Sequence, residues 1–301
     1  MKFFFLYLLF SKRSIPFQKN KVIEFWKNNE TFGFFNSKGN VYQYKNNSFE
    51  CILKTNPFLK KFHSFQENSF HYQITENGQD TSVFQNHILP FQKISWDDST
   101  SHQTFFHNHF FRLNYFGDFS IISDQGHYKN CMILKYNEYF IHVISIDSFL
   151  ISITNYNELQ IFDFQNFKFS KKFERYLTGI DFVLDIQVSK FHEYLYITIL
   201  DKKNQLRVFT FYIEKENTLR FIHQNNIYMK EKVLHYFLEF PNIYIKTNFY
   251  INVYQIKTFH NISELVSKRA YHDSFDKIFH YNNTIYLTGN PNLDCFIIKK
   301  H

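Results

Sequence analysis

Short apolar runs and polar clusters alternate along most of this chain, and the apolar runs carry the period of two that belongs to a half-buried strand. The pattern is clearest at Phe149 to Phe164, where FLISIT leads through the turn NYN into ELQIFDF. In the second run Leu159, Ile161 and Phe164 are apolar, while Gln160 and Asp163 are polar. Six looser copies predict the same strand–turn–strand unit: Phe32 to Tyr44, Phe70 to Phe84, Phe119 to Tyr136, Tyr194 to Tyr212, Ile243 to Ile256 and Ile285 to Ile298. Asn, Asp and Gly cluster where hairpin loops need them, because these residues tolerate tight-turn backbone conformations. Two stretches depart from the pattern. Asn86 to His109 reads as a long polar surface loop, and Ile262 to Arg269 as two helical turns capped by Ser263.

The turn centres fall near Lys38, Gly78, Gln125, Tyr156, Lys203, Asn248 and Asn290, between 31 and 47 residues apart and 42 on average. Repeats of about 40–45 residues, each a four-stranded blade, are the signature of one repeat architecture. Phe149 to Phe164 resembles a WD40-type repeat, with Ile161, Phe162 and Asp163 standing where that family usually has an apolar residue, Trp and Asp. The other copies resemble it in strand spacing. The resemblance implies an all-β chain, a seven-bladed, WD40-like β-propeller, with residues 1–301 as one domain. It also implies that an N-terminal strand, Phe3 to Phe10 or Val22 to Trp26, closes the ring beside Leu293 to Ile298, which protects edges that otherwise invite aggregation. A two-sheet sandwich with an extension is the competing architecture.

Composition agrees with strands. There are 41 Phe and 21 Tyr but 7 Gly, 5 Pro and a single alanine, Ala270. Aromatic residues suit a pleated surface and lose rotamer freedom in a helix. The same bias toward Phe, Tyr, Asn, Ile and Lys is what AT-rich codons produce. The run Phe3 to Phe10 is far short of the ~20 residues that span a bilayer as a helix, and Ser11, Lys12 and Arg13 follow it in place of a small-residue cleavage site. It reads as a buried strand, and no membrane span is expected. Cys51, Cys131 and Cys295 are widely separated and read as buried free thiols. Asn-x-Ser/Thr triplets at Asn29, Asn46, Asn261 and Asn282 are what chance supplies in so Asn-rich a chain.

Candidate chemistry is sparse. His107 and His109 share a face if the chain is extended there, with His102 nearby, but no third ligand is spaced to join them and no metal is expected. Adjacent Asp97 and Asp98 do not converge as an acid–base pair must. There is no GxSxG, phosphate-binding loop, GxGxxG or HExxH motif. The chain therefore reads as a non-enzyme without a cofactor or small-molecule substrate. Its charge is more informative: 34 Lys plus Arg against 27 Asp plus Glu give +7. Clusters at Lys12 and Arg13, Lys60 and Lys61, Lys171, Lys172 and Arg175, and Lys202 and Lys203 are the candidate RNA contacts. Several are flanked by aromatics, a combination that holds phosphates and stacks bases. Lysines that merely solubilise strand edges are the plainer alternative.

In composition the chain resembles proteins encoded in the AT-rich mitochondrial genomes of protists. With no predicted span and a basic surface, that resemblance implies a matrix protein, a structural component of the mitochondrial ribosome bound to rRNA and other subunits. A soluble accessory subunit of a respiratory complex and a free protein-binding propeller are the alternatives.

Overall fold

The computed structural model describes the backbone of residues 9–15, 22–27, 32–45, 48–54, 59–67, 70–77, 80–85, 90–95, 100–106, 109–114, 116–123, 126–132, 134–165, 168–256, 262–270, 275–281, 284–289 and 293–299. Side chains are described at 25–26, 32–45, 48–54, 113–114, 116–121, 132, 134–165, 168–256 and 278–279. The described residues form 28 strands, arranged as seven four-stranded sheets.

Strand β1 (Leu9–Ile15) pairs late in the chain. The first sheet is β2 (Val22–Lys27), β3 (Phe32–Asn36), β4 (Asn40–Lys45) and β5 (Ser48–Lys54). The second is β6 (Leu59–Glu67), β7 (Phe70–Asn77), β8 (Asp80–Gln85) and β9 (Pro90–Ser95). The third is β10 (Thr100–Phe106), β11 (His109–Asn114), β12 (Asp118–Ser123) and β13 (Gly126–Cys131). The fourth is β14 (Phe140–Ile146), β15 (Phe149–Thr154), β16 (Glu158–Gln165) and β17 (Lys168–Tyr176). The fifth is β18 (Val183–Phe191), β19 (Tyr194–Asp201), β20 (Gln205–Ile213) and β21 (Leu219–Tyr228), with a 3-10 turn at Lys215–Asn217. The sixth is β22 (Val233–Glu239), β23 (Asn242–Thr247), β24 (Tyr250–Ile256) and β25 (Ile262–Ala270). In the seventh, β26 (Phe275–Tyr281), β27 (Thr284–Gly289) and β28 (Leu293–Lys299) are followed across the sheet by β1.

Six of the seven hairpins predicted from the sequence are the second and third strands of one sheet; the one predicted from Phe119 is instead the third and fourth strands, β12 and β13. Second and third strands are the most buried, as in β15 and β16, which are buried from Phe149 through Thr154 and from Leu159 through Phe164. Fourth strands are half-exposed. Burial on both faces explains why the middle hairpins are so rich in Ile, Leu, Phe and Val.

The turns between second and third strands share one construction. Asn36, Asn114, Thr154 and Asp201 open four-residue turns that close at Gly39, Gly117, Asn157 and Asn204, each bonded back to the opening carbonyl at 2.9–3.3 Å. The closing residues all have positive φ, between 56° and 91°. Asn tolerates this left-handed conformation nearly as Gly does, so a chain with 7 Gly still makes tight hairpins. The opening side chain then caps the turn: Asp201 Oδ1 accepts the N–H of Lys203 at 2.9 Å and of Gln205 at 3.0 Å. The two central residues are left pointing outward.

Chain contacts divide the molecule into two units, residues 1–9, 101–273 and 299–301 in one, 10–100 and 274–298 in the other. Within the first, the core runs from sheet to sheet. Ile151, Ile161, Ile186, Ile197, Phe209 and Phe211 join the fourth and fifth sheets, and Leu200, Val208, Tyr236 and Ile245 join the fifth and sixth. First strands lie beside one another and are linked through side chains. His142 Nε2 is 3.0 Å from the Val183 carbonyl, Gln187 Nε2 donates to Tyr236 O at 2.6 Å, and Leu238 N–H donates to Gln187 Oε1 at 2.9 Å. Within the second unit Phe25 stacks on Phe279 at 4.8 Å and Phe34 on Tyr42 at 5.0 Å.

Six sheets also carry a β-bulge at the second residue of their first strand: Ile23, Lys60, Ile141, Leu184, Leu234 and Asp276. A bulge leaves its residue unpaired and re-aims the side chain.

Several expectations change. Ile262–Ala270 is a strand because it completes the sixth sheet against β24; two bulges interrupt its alternation and give Ile262, Leu265 and Val266 a helix-like spacing. The loop expected at Asn86 to His109 contains β9 and β10, and Asp97, Asp98 and His107 lie outside the described residues. The hairpin from Phe119 turns sooner than expected, into Gly126–Cys131. The strand next to β28 is Leu9–Ile15, while Val22–Lys27 opens the first sheet and residues 1–8 lie outside the described residues. Cys51 is exposed, not buried, because it sits on the edge strand β5; the side chains of Cys131 and Cys295 lie outside the described residues. The four Asn of the glycosylation triplets also lie outside them. Among the described residues no helix is long and apolar enough to cross a membrane.

Candidate docking surface

Strand direction alternates within a sheet, so the turn between second and third strands shares an end with the linker to the next sheet. In the first unit this end collects exposed apolar side chains. Phe116, Tyr136, Tyr139, Tyr156, Tyr176, Phe182, Leu184, Tyr228, Leu234 and Phe249 all stand there. Phe191 is the one large exposed apolar residue of the described set at the opposite end. That end instead carries Asp147, Lys190, Glu193, Glu214, Lys215 and Glu216. Scattered exposed apolar residues are ordinary, but their collection at one end makes that end the candidate docking surface.

The surface has two chemically different parts. At the fourth sheet, four exposed tyrosines share the end with an ion-pair cluster. The Lys135 ammonium donates to Glu158 at 2.7 and 2.9 Å and to Glu174, and Glu138 accepts from Gln160 at 2.7 Å. The hydrogen bond from Lys135 holds the Glu174 carboxyl down to about 2, well below the usual carboxylate range. Those bonds raise Lys135 in turn, Glu158 contributing more than Glu174. The Glu138, Glu158 and Glu174 carboxylates come within 4.8 Å of one another, the spacing of a cation site. Here Lys135 bridges Glu158 and Glu174, Lys171 also pairs with Glu174, and the Gln160 amide donates to Glu138, so hydrogen bonds and ion pairs lock the cluster while three carboxylates still outnumber two lysines. Tyr156 donates its hydroxyl proton to the Tyr136 carbonyl at 3.0 Å, fixing the turn beneath.

At the fifth and sixth sheets the surface is basic. The linker, the turns and the next linker are joined by hydrogen bonds: Lys202 N–H to Phe182 O at 3.0 Å, Met229 N–H to Asn204 O at 3.3 Å, and Val233 N–H to Asn204 Oδ1 at 3.3 Å. Thr247 donates to Glu231, which ties in the turn bearing Phe249. This continuous ledge displays Lys202, Lys203, Lys230 and Lys232 among Phe182, Tyr228 and Phe249, whose exposures are 49%, 74% and 62%. Lys203 pairs with Asp181 at 2.9 Å. Lys202, Lys230 and Lys232 have no ion-pair partner among the described residues.

The other basic candidates are placed differently. Lys12 and Arg13 lie on β1, and Lys60 and Lys61 on β6, in the second unit, with side chains outside the described residues. Lys171, Lys172 and Arg175 lie on the edge strand β17 and have internal partners. Lys171 pairs with Glu174 at 3.3 Å and stands over the Phe162 ring, Lys172 lies 3.9 Å from Asp163, and Arg175 stands 4.7 Å over the Phe221 ring. Two of the aromatics flanking them turn inward, Phe169 packing on Phe119 and Phe164 and Phe173 on Phe211 and Phe221, while Tyr176 at the end of the strand is exposed. His102 and His109 lie on β10 and β11, with side chains outside the described residues. Asp163, the residue carrying the repeat resemblance, is buried and accepts from Gln165 at 2.8 Å and from Asn217 of the next sheet at 3.0 Å. Its role here is to pin neighbouring sheets together.

Lys230, Lys232, Phe182, Tyr228 and Phe249 were not singled out in the sequence. The signal that finds them is parity: once strands are assigned in fours, every linker must share an end with every central turn.

No protein-family model matches the chain, and no curated protein matches it in sequence. Solved structures do match. The β-propeller domain of Myceliophteria thermophila Cps50 (Swd1) aligns with TM-score 0.67 at 9% identity, covering 96% of this chain and 100% of that one. Kluyveromyces lactis Hsv2 aligns with TM-score 0.65 at 8% identity, over 89% of each chain. A chain of the mitotic checkpoint complex aligns with TM-score 0.64 at 13% identity, over 96% of this chain and 91% of that one. At such identities the likeness is one of fold, and the fold of this chain is a β-propeller built from seven four-stranded sheets.

Proposed function

We propose that this chain is a non-catalytic scaffold, a single propeller domain whose ring is closed by β1 beside β28, and that it docks into a larger assembly through the end bearing its central turns. The observation that carries the reading is the segregation of exposed apolar side chains to that end, with charged residues at the other. A one-sided surface suits a subunit held against neighbours. The assembly we propose is a ribonucleoprotein, the mitochondrial ribosome. The tyrosine-rich end of the fourth sheet, where three carboxylates outnumber two lysines, suits a protein neighbour better than a polyanion. The basic ledge of the fifth and sixth sheets suits rRNA. The net charge of +7 and the Phe-, Tyr-, Asn- and Lys-rich composition support a polyanionic neighbour and a mitochondrial matrix location.

Fractionation of native mitochondria on a density gradient, with the chain followed by mass spectrometry, tests this. Migration with ribosomal particles that is lost after RNase digestion is the expected result. Migration with a detergent-extracted respiratory complex overturns the ribosomal assignment and leaves a protein-docking subunit. Absence from mitochondria overturns the location as well, in favour of a free protein-binding propeller.

A further inference from the structure

We infer that the ledge formed by Phe182, Lys202, Tyr228, Lys230, Lys232 and Phe249 is a binding site for single-stranded nucleic acid. The inference rests on the ribonucleoprotein reading above and names the part of the surface and the kind of strand. Three lysines there have no ion-pair partner among the described residues, so their charge is available to an external anion. The nearby acids are Asp181, paired with Lys203, and Glu231, which accepts from the Thr247 hydroxyl and keeps its charge; four lysines thus face two carboxylates and the ledge stays net positive. On the same hydrogen-bonded ledge are three rings exposed by 49–74%.

Charge complementarity selects a polyanion, and the rings select among polyanions. An acidic peptide neutralises the lysines but has no general use for exposed π faces. A duplex buries its bases and offers only phosphates. An unpaired strand satisfies both features, because every base has a face to stack and every nucleotide a phosphate. The rigid turns supply preorganisation: Asp201 caps the turn holding Lys202, and Asn204 fastens that turn to the linker holding Lys230 and Lys232.

The test uses the full chain and fluorescence anisotropy with a labelled 12-nucleotide oligouridylate, its DNA counterpart, an RNA duplex and poly-glutamate, from 50 to 200 mM salt. The oligouridylate is expected to bind better than the duplex, with a logarithmic salt slope of about −2 for three phosphate contacts. The triple variant Lys202→Gln, Lys230→Gln, Lys232→Gln should flatten that slope by about 2. Phe182→Ala, Tyr228→Ala and Phe249→Ala should each weaken binding on the order of tenfold at constant slope. Lys190→Gln, at the opposite end, should change nothing. All these positions are exposed, and circular dichroism reports whether each variant is folded.

Oligonucleotide binding that is indifferent to the ring variants, or equal affinity for duplex, overturns the stacking site. Binding of poly-glutamate with none of the oligonucleotides reassigns the ledge to an acidic protein. Co-sedimentation with ribosomes without oligonucleotide binding sinks this site while leaving the scaffold reading intact. Oligonucleotide binding without co-sedimentation supports the site and sinks the ribosomal assignment.

Discussion

Replacing Gln187 by Ala should destabilise the protein out of proportion to the small apolar area it removes. Gln187 lies on β18, the first strand of the fifth sheet, and its amide faces the backbone of β22, the first strand of the sixth. Its Nε2 donates to Tyr236 O at 2.6 Å and its Oε1 accepts from Leu238 N–H at 2.9 Å. Both backbone groups lie outside the β22–β23 ladder, which uses the other side of β22. Each bond contributes about 1 kcal/mol net, and a buried group left without a partner costs about 1–3 kcal/mol. Gln187 is only half-buried, so water reaches the vacated space and the lower figures apply: about 2 kcal/mol for the pair. Urea unfolding followed by far-ultraviolet circular dichroism should show that loss at unchanged m-value, and Tm should fall by about 4 °C. Gln187→Glu should be at least as damaging, because a carboxylate keeps the acceptor for Leu238 but turns lone pairs toward Tyr236 O and toward Asp185. An alanine variant within 0.5 kcal/mol of wild type, an order-of-magnitude threshold for surface changes, refutes the claim that this amide staples the two sheets.

Three further outcomes follow from named contacts. Glu174 titrates at about 2 when folded against an ordinary value of 4.5, so its contribution to stability is present above the ordinary value and lost as pH falls toward 2; Glu174→Gln should flatten that part of the stability-against-pH curve, and an unchanged curve removes the Lys135 contact as its cause. Gly33→Ala should disrupt the first sheet, since a Cβ there would stand 1.9 Å from Tyr42 O and 2.6 Å from the Trp26 ring; Trp26 fluorescence and Tm measure it, and a variant as stable as wild type contradicts that packing. Phe211→Ala should cost about 3–5 kcal/mol by urea unfolding, because the fully buried ring packs against Phe173 of the preceding sheet and Phe221 of its own; a loss below about 1.5 kcal/mol indicates a site that collapses around the cavity.

Six of the seven middle hairpins were legible because burial on both faces gives them continuous apolar runs, and because their turns are written in Asn, Asp and Gly; that of the third sheet, β11 and β12, was missed. First and fourth strands were harder to read for a physical reason. Bulges at Ile141, Leu184 and Leu234 in first strands, and at Ile52, Lys172, Ile222 and Val266 in fourth strands, slip the alternation by one residue. That slip is what made Ile262 to Arg269 look helical. Lys202 and Lys203 stood out as a doublet inside a turn. Lys230 and Lys232 sit in a short linker whose neighbours in space are 25 to 30 residues away in sequence, and only strand pairing brings Asn204 to Met229 and Val233. The aromatic flanks of β17 misled for the opposite reason: aromatic residues next to lysines look alike in sequence whether they face a ligand or the next sheet.

The position of β1 beside β28 bears on how the protein is made. On the ribosome Ile15 is synthesised 278 residues before Leu293. At about 5–20 residues per second the earlier strand waits roughly 14–56 s for its partner. By the end of that interval the other six sheets have all their strands, and throughout it an edge-forming segment stands ready to pair with whatever it meets. Completion of β28, not the emergence of any earlier sheet, is thus what allows the last pairing to form. Chains truncated within β28 should therefore be held by chaperones and aggregate, even though every earlier hairpin is intact.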